Sequence, residues 1–166
     1  MNQAMTYSFA ADRTLGKLAK WLRILGFDTI FESDYAGRTF YDRLGPDRVL
    51  LTRIVEMRDR FDARKLIFIR SDRVFEQLGQ VVAELALTRA DIQLFSRCLP
   101  CNLPIEAVDK HAIYGRVPDY VWENHDAFNQ CRQCKRIYWA GSHGERSREV
   151  VEGLFQMTND EGRRTN

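Results

Sequence analysis

The chain has 166 residues and a formal net charge of +2 at pH 7, with 45% hydrophobic and 29% charged residues. These values are typical of a soluble globular protein of one domain, or of a domain with a small added module. The near-neutral charge alone does not indicate a nucleic-acid partner. No apolar run approaches the ~18 residues that span a membrane, and the N-terminus lacks the features of a signal peptide. We therefore expect a cytoplasmic protein.

Strands and helices alternate through the first half of the chain. Short apolar runs predict strands at residues 6–11, 27–31, 49–52 and 65–70. Apolar residues spaced three or four apart, with the usual end signals, predict helices at residues 13–25, 38–44, 54–61 and 73–87. Gly26 is predicted to end the first helix as its C′ residue. This alternation predicts an α/β fold, with a parallel sheet flanked by helices and joined by right-handed crossovers.

The second half of the chain holds all four cysteines, in the two C-x-x-C pairs Cys98/Cys101 and Cys131/Cys134. Two residues between thiols let both sulfurs reach one tetrahedral Zn²⁺ at about 2.3 Å. Two such turns complete the coordination, so the pattern predicts a structural Zn²⁺ in a zinc ribbon within a reducing compartment. Disulfide bonds and free thiols are the alternatives.

Further elements surround the second cysteine pair. The sequence predicts a helix at residues 119–126, a strand at 137–139 and a last helix at 144–157, capped by Ser142. Residues 158–166 are polar and are predicted to be a flexible tail.

Acidic residues lie at or near the carboxyl ends of the predicted strands, where parallel sheets place their ligands. They are Asp12, Asp34 and Asp72, with Asp28 inside the second strand. Carboxylates that lie close together need a cation, and Mg²⁺ or Mn²⁺ with several waters is the usual one. Such a site activates water for hydrolysis of a phosphodiester. Alternatively, Asp12 and Asp72 cap the helices that follow them, and Asp34 is a solvated loop residue.

Basic residues follow Asp12 at helical spacing. Arg13, Lys17 and Lys20 share a stripe away from the leucine face of the first helix, and Arg53 follows the third strand. These four residues could bind a phosphate backbone beside the acids. The alternative is an ordinary solvated surface.

Motifs in both halves resemble the Mut7-C family over about residues 8–148. The opening motif, D-x-x-L-G-K-L-A-x-W-L-R-x-L-G-F-D, occupies residues 12–28. The others are L-L-T-R at 50–53, E-Q-L at 76–78, R-C-x-x-C-N at 97–102 and C-x-x-C-x-x-I-Y-W-x-G-S-H at 131–143.

This resemblance implies a PIN-like nuclease domain at residues 1–92 and a zinc ribbon with flanking helices at 93–157, followed by the tail. It implies a metal-dependent ribonuclease, a hydrolase that binds and cleaves RNA. Asp12 and Asp28 match acids of the family, and the four cysteines match its zinc ligands.

Two positions depart from the family pattern. The family typically has L-T-R-D after the third strand, where this chain has Ile54 in place of the acid. Isoleucine cannot bind magnesium. The helix after the second strand also lacks a counterpart acid, since Arg38 and Thr39 occupy that region, and Asp34 or Asp42 is the candidate substitute there. Two hypotheses stay open. The first is a Mg²⁺- or Mn²⁺-dependent endoribonuclease using Asp12, either Asp28 or Asp34, and Asp72; the second is a catalytically impaired RNA-binding or adaptor protein. The sequence gives no indication of oligomeric state.

Overall fold

The computed structural model describes residues 7–35, 39–58 and 65–161. Within these ranges the strands are β1 (Ser8–Ala11), β2 (Asp28–Phe31), β3 (Arg48–Thr52), β4 (Leu66–Phe68), β5 (Ile105–Val108), β6 (Phe128–Cys131) and β7 (Ile137–Trp139). The helices are α1 (Gly16–Ile24), α2 (Thr39–Asp42), α3 (Val74–Glu84), α4 (Asp119–Asn124) and α5 (Ser142–Glu161).

Two sheets organise the described residues. The first is a four-stranded parallel sheet in the order β2-β1-β3-β4, and the second is a three-stranded antiparallel sheet in the order β5-β6-β7. In the parallel sheet, Ala11 of β1 is in register with Phe31 of β2 and Leu51 of β3. The prediction of an α/β fold with a parallel sheet flanked by helices is confirmed.

The parallel sheet has a core on each face, because successive side chains of a strand point to opposite sides. Phe9 and Ala11 belong to a cluster that includes the leucines of α1 and Val81 and Val82 of α3. Ala10 and Leu50 belong to the opposite cluster, which also contains Phe40 of α2. A third, smaller cluster lies in the region between the cysteine pairs.

The last helix returns to the first core. Val151 and Leu154 of α5 are buried in the same cluster as the β1 side chains. Thus α5, which the sequence analysis grouped with the zinc ribbon, packs on the α/β part of the molecule.

Several predicted boundaries differ from the structure. Helix α1 begins at Gly16 rather than at residue 13, because the chain first forms a turn in which the Thr14 N–H donates to Asp12 Oδ1. An α-helix was predicted at residues 54–61, but the structure has a 3₁₀ turn at Val55–Met57. The helix predicted to start at residue 144 starts at Ser142 and extends to Glu161, into the predicted tail. Residues 6, 38, 59–61 and 162–166, which also carried predictions, lie outside the described residues.

Gly26 ends α1 as predicted. Its φ is +96°, and a Cβ there would lie 2.4 Å from the carbonyl oxygen of Gln93. The position therefore requires glycine for both conformation and space. Of the helices in the described ranges, none combines the length and apolar character needed to cross a bilayer.

Candidate functional site

The cysteines lie in two tight loops of similar construction. In each loop the residue after the second cysteine has a left-handed backbone conformation: Asn102 at φ 58° and Lys135 at φ 61°. The N–H of each donates back to the carbonyl oxygen of the first cysteine of its pair, at 2.8 Å for Asn102 and 3.0 Å for Lys135. This turn places both sulfurs of a pair on the same side of the loop.

The two loops bring all four thiols together. The four Sγ atoms lie within 4.8 Å of one another, and those of Cys98 and Cys134 are 3.6 Å apart. Ligands at ~2.3 Å from a tetrahedral zinc would be about 3.8 Å apart, so the donor set fits such an ion in chemistry and size. All four cysteines are free of disulfide bonds.

The protein surroundings shift the acidity of these thiols in different directions. Burial raises the pKa of Cys98, and burial with the neighbouring sulfurs raises that of Cys101 to about 12. Burial also opposes ionisation of Cys131, but backbone N–H groups of Cys134 and Gln133 outweigh it and lower its pKa to about 7. Backbone donors aimed at a sulfur are what a thiolate ligand requires.

Tyr138 holds the first loop against β7. Its hydroxyl donates to Cys98 Sγ at 3.1 Å and accepts from the Leu99 N–H at 3.2 Å. Burial, followed by the contact with Cys98, raises the pKa of this phenol, which stays a hydrogen-bond donor. Outer partners of this kind orient metal ligands, a role that was not predicted for Tyr138 from the sequence.

Asp12 is a buried carboxylate directly after β1, with 1% exposure. Its Oδ1 accepts from the N–H and the hydroxyl of Thr14, at 2.7 and 2.5 Å. Its Oδ2 accepts from the Thr52 hydroxyl at 2.6 Å and the Arg53 N–H at 2.9 Å. The alternative role of helix cap is wrong, because Leu15 is the N-cap of α1 and has no side-chain cap bond.

Glu32 lies beside Asp12 and was missed by the sequence analysis as a site residue. Since Ala11 and Phe31 are in register, Asp12 and Glu32 are the next residues along two adjacent strands. The Arg13 N–H donates to Glu32 Oε2 at 2.9 Å. Burial raises the pKa of Tyr41, and the negative charges of Glu32 and Asp12 raise it further. The sequence did contain a signal for this role, since Glu32 comes directly after the second predicted strand.

Asp28 lies at the amino end of the parallel strands, whereas Asp12 lies at their carboxyl end. It is the first residue of β2 and is in register with Ser8 of β1. Asp12 lies four residues beyond Ser8, so at ~3.3 Å per residue the two acids are separated by about 13 Å along the strand direction. Its carboxylate accepts from Arg48 Nη2 at 2.9 Å and Asn102 Nδ2 at 2.6 Å. Burial opposes ionisation, but these two donors outweigh it and lower the pKa of Asp28. The structure therefore does not bring Asp28 and Asp12 together.

Asp34 and Asp72 have separate surroundings. Asp34 forms an ion pair with Arg23, with Oδ2 and Nη2 2.7 Å apart. Asp72 is exposed in the turn before α3. The Ser71 hydroxyl, rather than Asp72, accepts from the Arg73 N–H at the start of that helix, so the capping role considered for Asp72 is wrong.

Arg23 joins the parallel sheet to the first cysteine loop. It is 6% exposed. Its Nε donates to the Thr29 carbonyl at 2.9 Å and its Nη1 to the Leu99 carbonyl at 2.6 Å. Asn102 completes the junction by accepting from the Thr29 N–H at 3.0 Å while donating to Asp28. Two of the predicted site acids, Asp28 and Asp34, are thus partners of this junction.

The predicted nucleic-acid-binding residues Arg13, Lys17, Lys20 and Arg53 are all exposed. Ile54, at the position of the expected acid, is half-buried and packs against the cluster containing Phe40 and Leu50. Among the residues that the structure describes, the four cysteines are the one group of three or more Cys, His, Asp or Glu side chains placed to share an ion.

A parallel α/β sheet followed by a four-cysteine cluster defines the general class of this protein. The family model described as the Mut7-C RNAse domain matches residues 7–151, and the chain belongs to this family. No curated protein and no solved structure matches it.

Proposed function

We propose that the protein is a ribonuclease that hydrolyses phosphodiester bonds of RNA. Membership of the Mut7-C RNAse domain family supports this function. The observation that carries the proposal is Asp12, a carboxylate with 1% exposure held by donors from two segments at the carboxyl end of β1. Parallel sheets place their ligands at this edge, and a carboxylate fixed there is positioned before substrate arrives.

Asp12 and Glu32 are the residues that would hold Mg²⁺ or Mn²⁺. Mg²⁺ is usually bound by one or two carboxylates together with waters and substrate phosphates, which fits a pair of acids. Four donors occupy the roughly four lone-pair sites of the Asp12 carboxylate. The Thr14 hydroxyl is the donor that can rotate away to admit a cation. When bound, the ion supplies polarisation of the phosphate and a nucleophilic hydroxide.

Arg13 and Arg53 are proposed to bind the RNA phosphates beside these acids. The backbone N–H of Arg13 donates to Glu32, and that of Arg53 donates to Asp12. The backbone of Arg13 is therefore fixed beside the Glu32 carboxylate, and that of Arg53 beside the Asp12 carboxylate. Both arginines are exposed. Guanidinium groups suit this task because they bind phosphate oxygens bidentately.

Lys17 is proposed to contribute to the same surface. It lies in the first turn of α1, which contains no acidic residue. A cation there opposes the helix dipole by about 0.3–1 kcal/mol. An anionic ligand near this helix start would remove that cost.

The four cysteines are proposed to hold a structural Zn²⁺. Four thiols fill a tetrahedral shell and leave no position for substrate, so the ion would stabilise the second sheet and the loops that contact β2. The division into a nuclease-type part at residues 1–92 and a ribbon at 93–157 is retained as a proposal, with α5 packed on the former.

The test is cleavage of a labelled single-stranded RNA with added Mn²⁺ or Mg²⁺. We expect Asp12→Asn to abolish turnover and Glu32→Gln to lower it at least tenfold, about 1.4 kcal/mol in the barrier. Asp47→Asn, which changes an exposed acid before β3, is the matched control. Zinc content and thermal unfolding identify variants that fail to fold. Turnover by Asp12→Asn at the rate of the unaltered protein contradicts the proposal.

A second candidate function is RNA binding without turnover. It is favoured by Ile54, which packs into an apolar cluster where the family typically has an acid, and by the absence of a third carboxylate beside Asp12 in the described residues. The same assay separates the two functions. RNA binding without cleavage under any metal supports the second candidate.

A further inference from the structure

A cavity of about 810 Å³ lies between α1, β7 and the first turns of α5. Two side chains of α1, Lys17 and Lys20, and two of α5, Arg146 and Arg148, line it, and none of its described lining residues is acidic. All four cations are exposed, and none forms an ion pair with a described residue. This charge favours an anionic ligand.

Aromatic rings line the same cavity. They are Trp21, Phe95, Tyr138 and Trp139. Trp139 is 38% exposed, although indole is large and apolar. Rings that share a wall with cations can stack on planar groups while the cations bind charge.

Phe95 is held in an unusual conformation at this wall. Its φ is 58°, a left-handed value that is a genuine outlier for a bulky residue. Its N–H donates to the Ile24 carbonyl at 2.8 Å, and the guanidinium of Arg148 lies 5.5 Å from its ring centroid. Strained residues of this kind concentrate at ligand sites, which supports binding in this cavity.

We propose that the cavity binds unpaired bases of single-stranded RNA. The rings stack on the base faces, and the cations hold the flanking phosphates. The side-chain amide of Asn129 is a further polar group of the lining and can hydrogen-bond to a base edge. This inference rests on the proposed RNA-directed function and adds a binding site to it.

Single strands fit the cavity better than other anions. A duplex keeps its base faces stacked and hidden, whereas an unpaired strand exposes them to aromatic side chains. An acidic peptide would use the cations and leave the rings without a role.

The position of the cavity connects both candidate sites. Lys17 and Lys20 lie within about 6 Å along the helix axis from Gly16, and the chain between Gly16 and Asp12 is short. A strand held in the cavity can therefore extend to the Asp12 pocket. On the other side, the hydroxyl of Tyr138 is bonded to Cys98, so the first cysteine loop fixes this ring.

The test is the affinity for a short labelled oligouridylate, measured without added divalent ions and at several salt concentrations. We expect Trp139→Ala to weaken binding roughly 5- to 150-fold, the effect of one lost stacking partner, with an unchanged salt slope. Lys20→Ala lowers the slope of log K against log salt by about 0.7, the value for one phosphate on a single strand. Trp139→Phe keeps a ring and restores most of the affinity.

Controls come from matched residues outside the cavity. Tyr120→Ala removes a 68% exposed ring on α4, and Lys65→Ala removes an exposed cation before β4; neither should change affinity or slope. Zinc content identifies misfolded variants.

The outcomes separate this inference from the proposed function. Unchanged affinity in both Trp139→Ala and Lys20→Ala overturns the inference, even if the unaltered protein cleaves RNA. Binding that depends on Trp139, in a protein that cleaves no RNA, supports the inference and contradicts the proposed hydrolysis. A polyglutamate peptide that binds as tightly as the oligouridylate also overturns it.

Discussion

The four cysteines and the four acids predicted as ligands differ in how the fold places them. The cysteine sulfurs lie within 4.8 Å of one another, whereas Asp12 and Asp28 lie at opposite ends of the parallel strands. Each cysteine pair is positioned by one short turn, so its geometry is local. The acids come from separate strands, and their separation depends on register, which a one-residue shift would change completely.

The two sets also differ in their partners. Asp28 binds Arg48 and Asn102, and Asp34 binds Arg23, so both carboxylates are already paired with protein donors. Through Asn102 and Arg23 they support the contact between the first cysteine loop and β2. The four cysteines are therefore placed to bind an ion, whereas Asp28 and Asp34 stabilise the contact between the first cysteine loop and β2.

The largest expected effect is loss of the cysteine cluster. We expect Cys131→Ser to release zinc and unfold the second sheet. Zinc contributes about 10–16 kcal/mol in small zinc-finger peptides, which is comparable to the ~5–15 kcal/mol stability of a whole domain. The parallel sheet should stay folded, because α5 covers its core independently of the cysteines. Zinc stoichiometry and circular dichroism measure the two parts.

The matched control for this change is Arg132→Ala. Arg132 lies in the same loop, is exposed, and pairs with Glu106 away from the sulfurs. It should keep full zinc content. Retention of one zinc per chain by Cys131→Ser would show that the fourth thiol is not needed and would contradict the tetrahedral assignment.

A smaller effect is expected at the junction. We expect Arg23→Ala to lower the free energy of unfolding by about 2–4 kcal/mol, since it leaves the carbonyls of Thr29 and Leu99 without their charged donor. Arg23→Lys should recover little, because one ammonium cannot reproduce the planar set of donors. Urea denaturation measures both variants, and Arg13→Ala, at an exposed arginine, is the control. Equal stability of Arg23→Ala and the control would mean that these bonds contribute nothing.

The sequence predicted features that depend on local pattern. The C-x-x-C spacing predicted the cysteine cluster, and Gly26 predicted the end of α1, because each follows from the geometry of a few consecutive residues. The alternation of strands and helices was enough for the parallel sheet, and the motifs were enough for the family.

Features that depend on distant contacts were not predicted. Glu32 was missed because its place beside Asp12 follows from the pairing of β1 with β2. Asp28 was expected at the metal site because it matches an acid of the family, although it starts β2 and its side chain reaches Asn102, 74 residues away. The role of Arg23 depends on a carbonyl 76 residues away in the chain. Sequence spacing contains no signal for the contacts of Asp28 and Arg23.

The smallest expected effect is a pH dependence at the same junction. The donors Arg48 and Asn102 lower the pKa of Asp28 from its ordinary value of 3.8, despite burial. A carboxyl whose pKa is lower in the folded state stabilises the fold above its unfolded pKa, and this contribution is lost as pH falls through the folded value. Asp28→Asn should therefore be less stable than the unaltered protein at about pH 6, and the difference should shrink below about pH 4. Urea midpoints across this range measure it, with Asp47→Asn as the control that keeps the full pH dependence. If the stability difference stays constant down to about pH 2, the negative charge of Asp28 does not contribute to the stability of the fold.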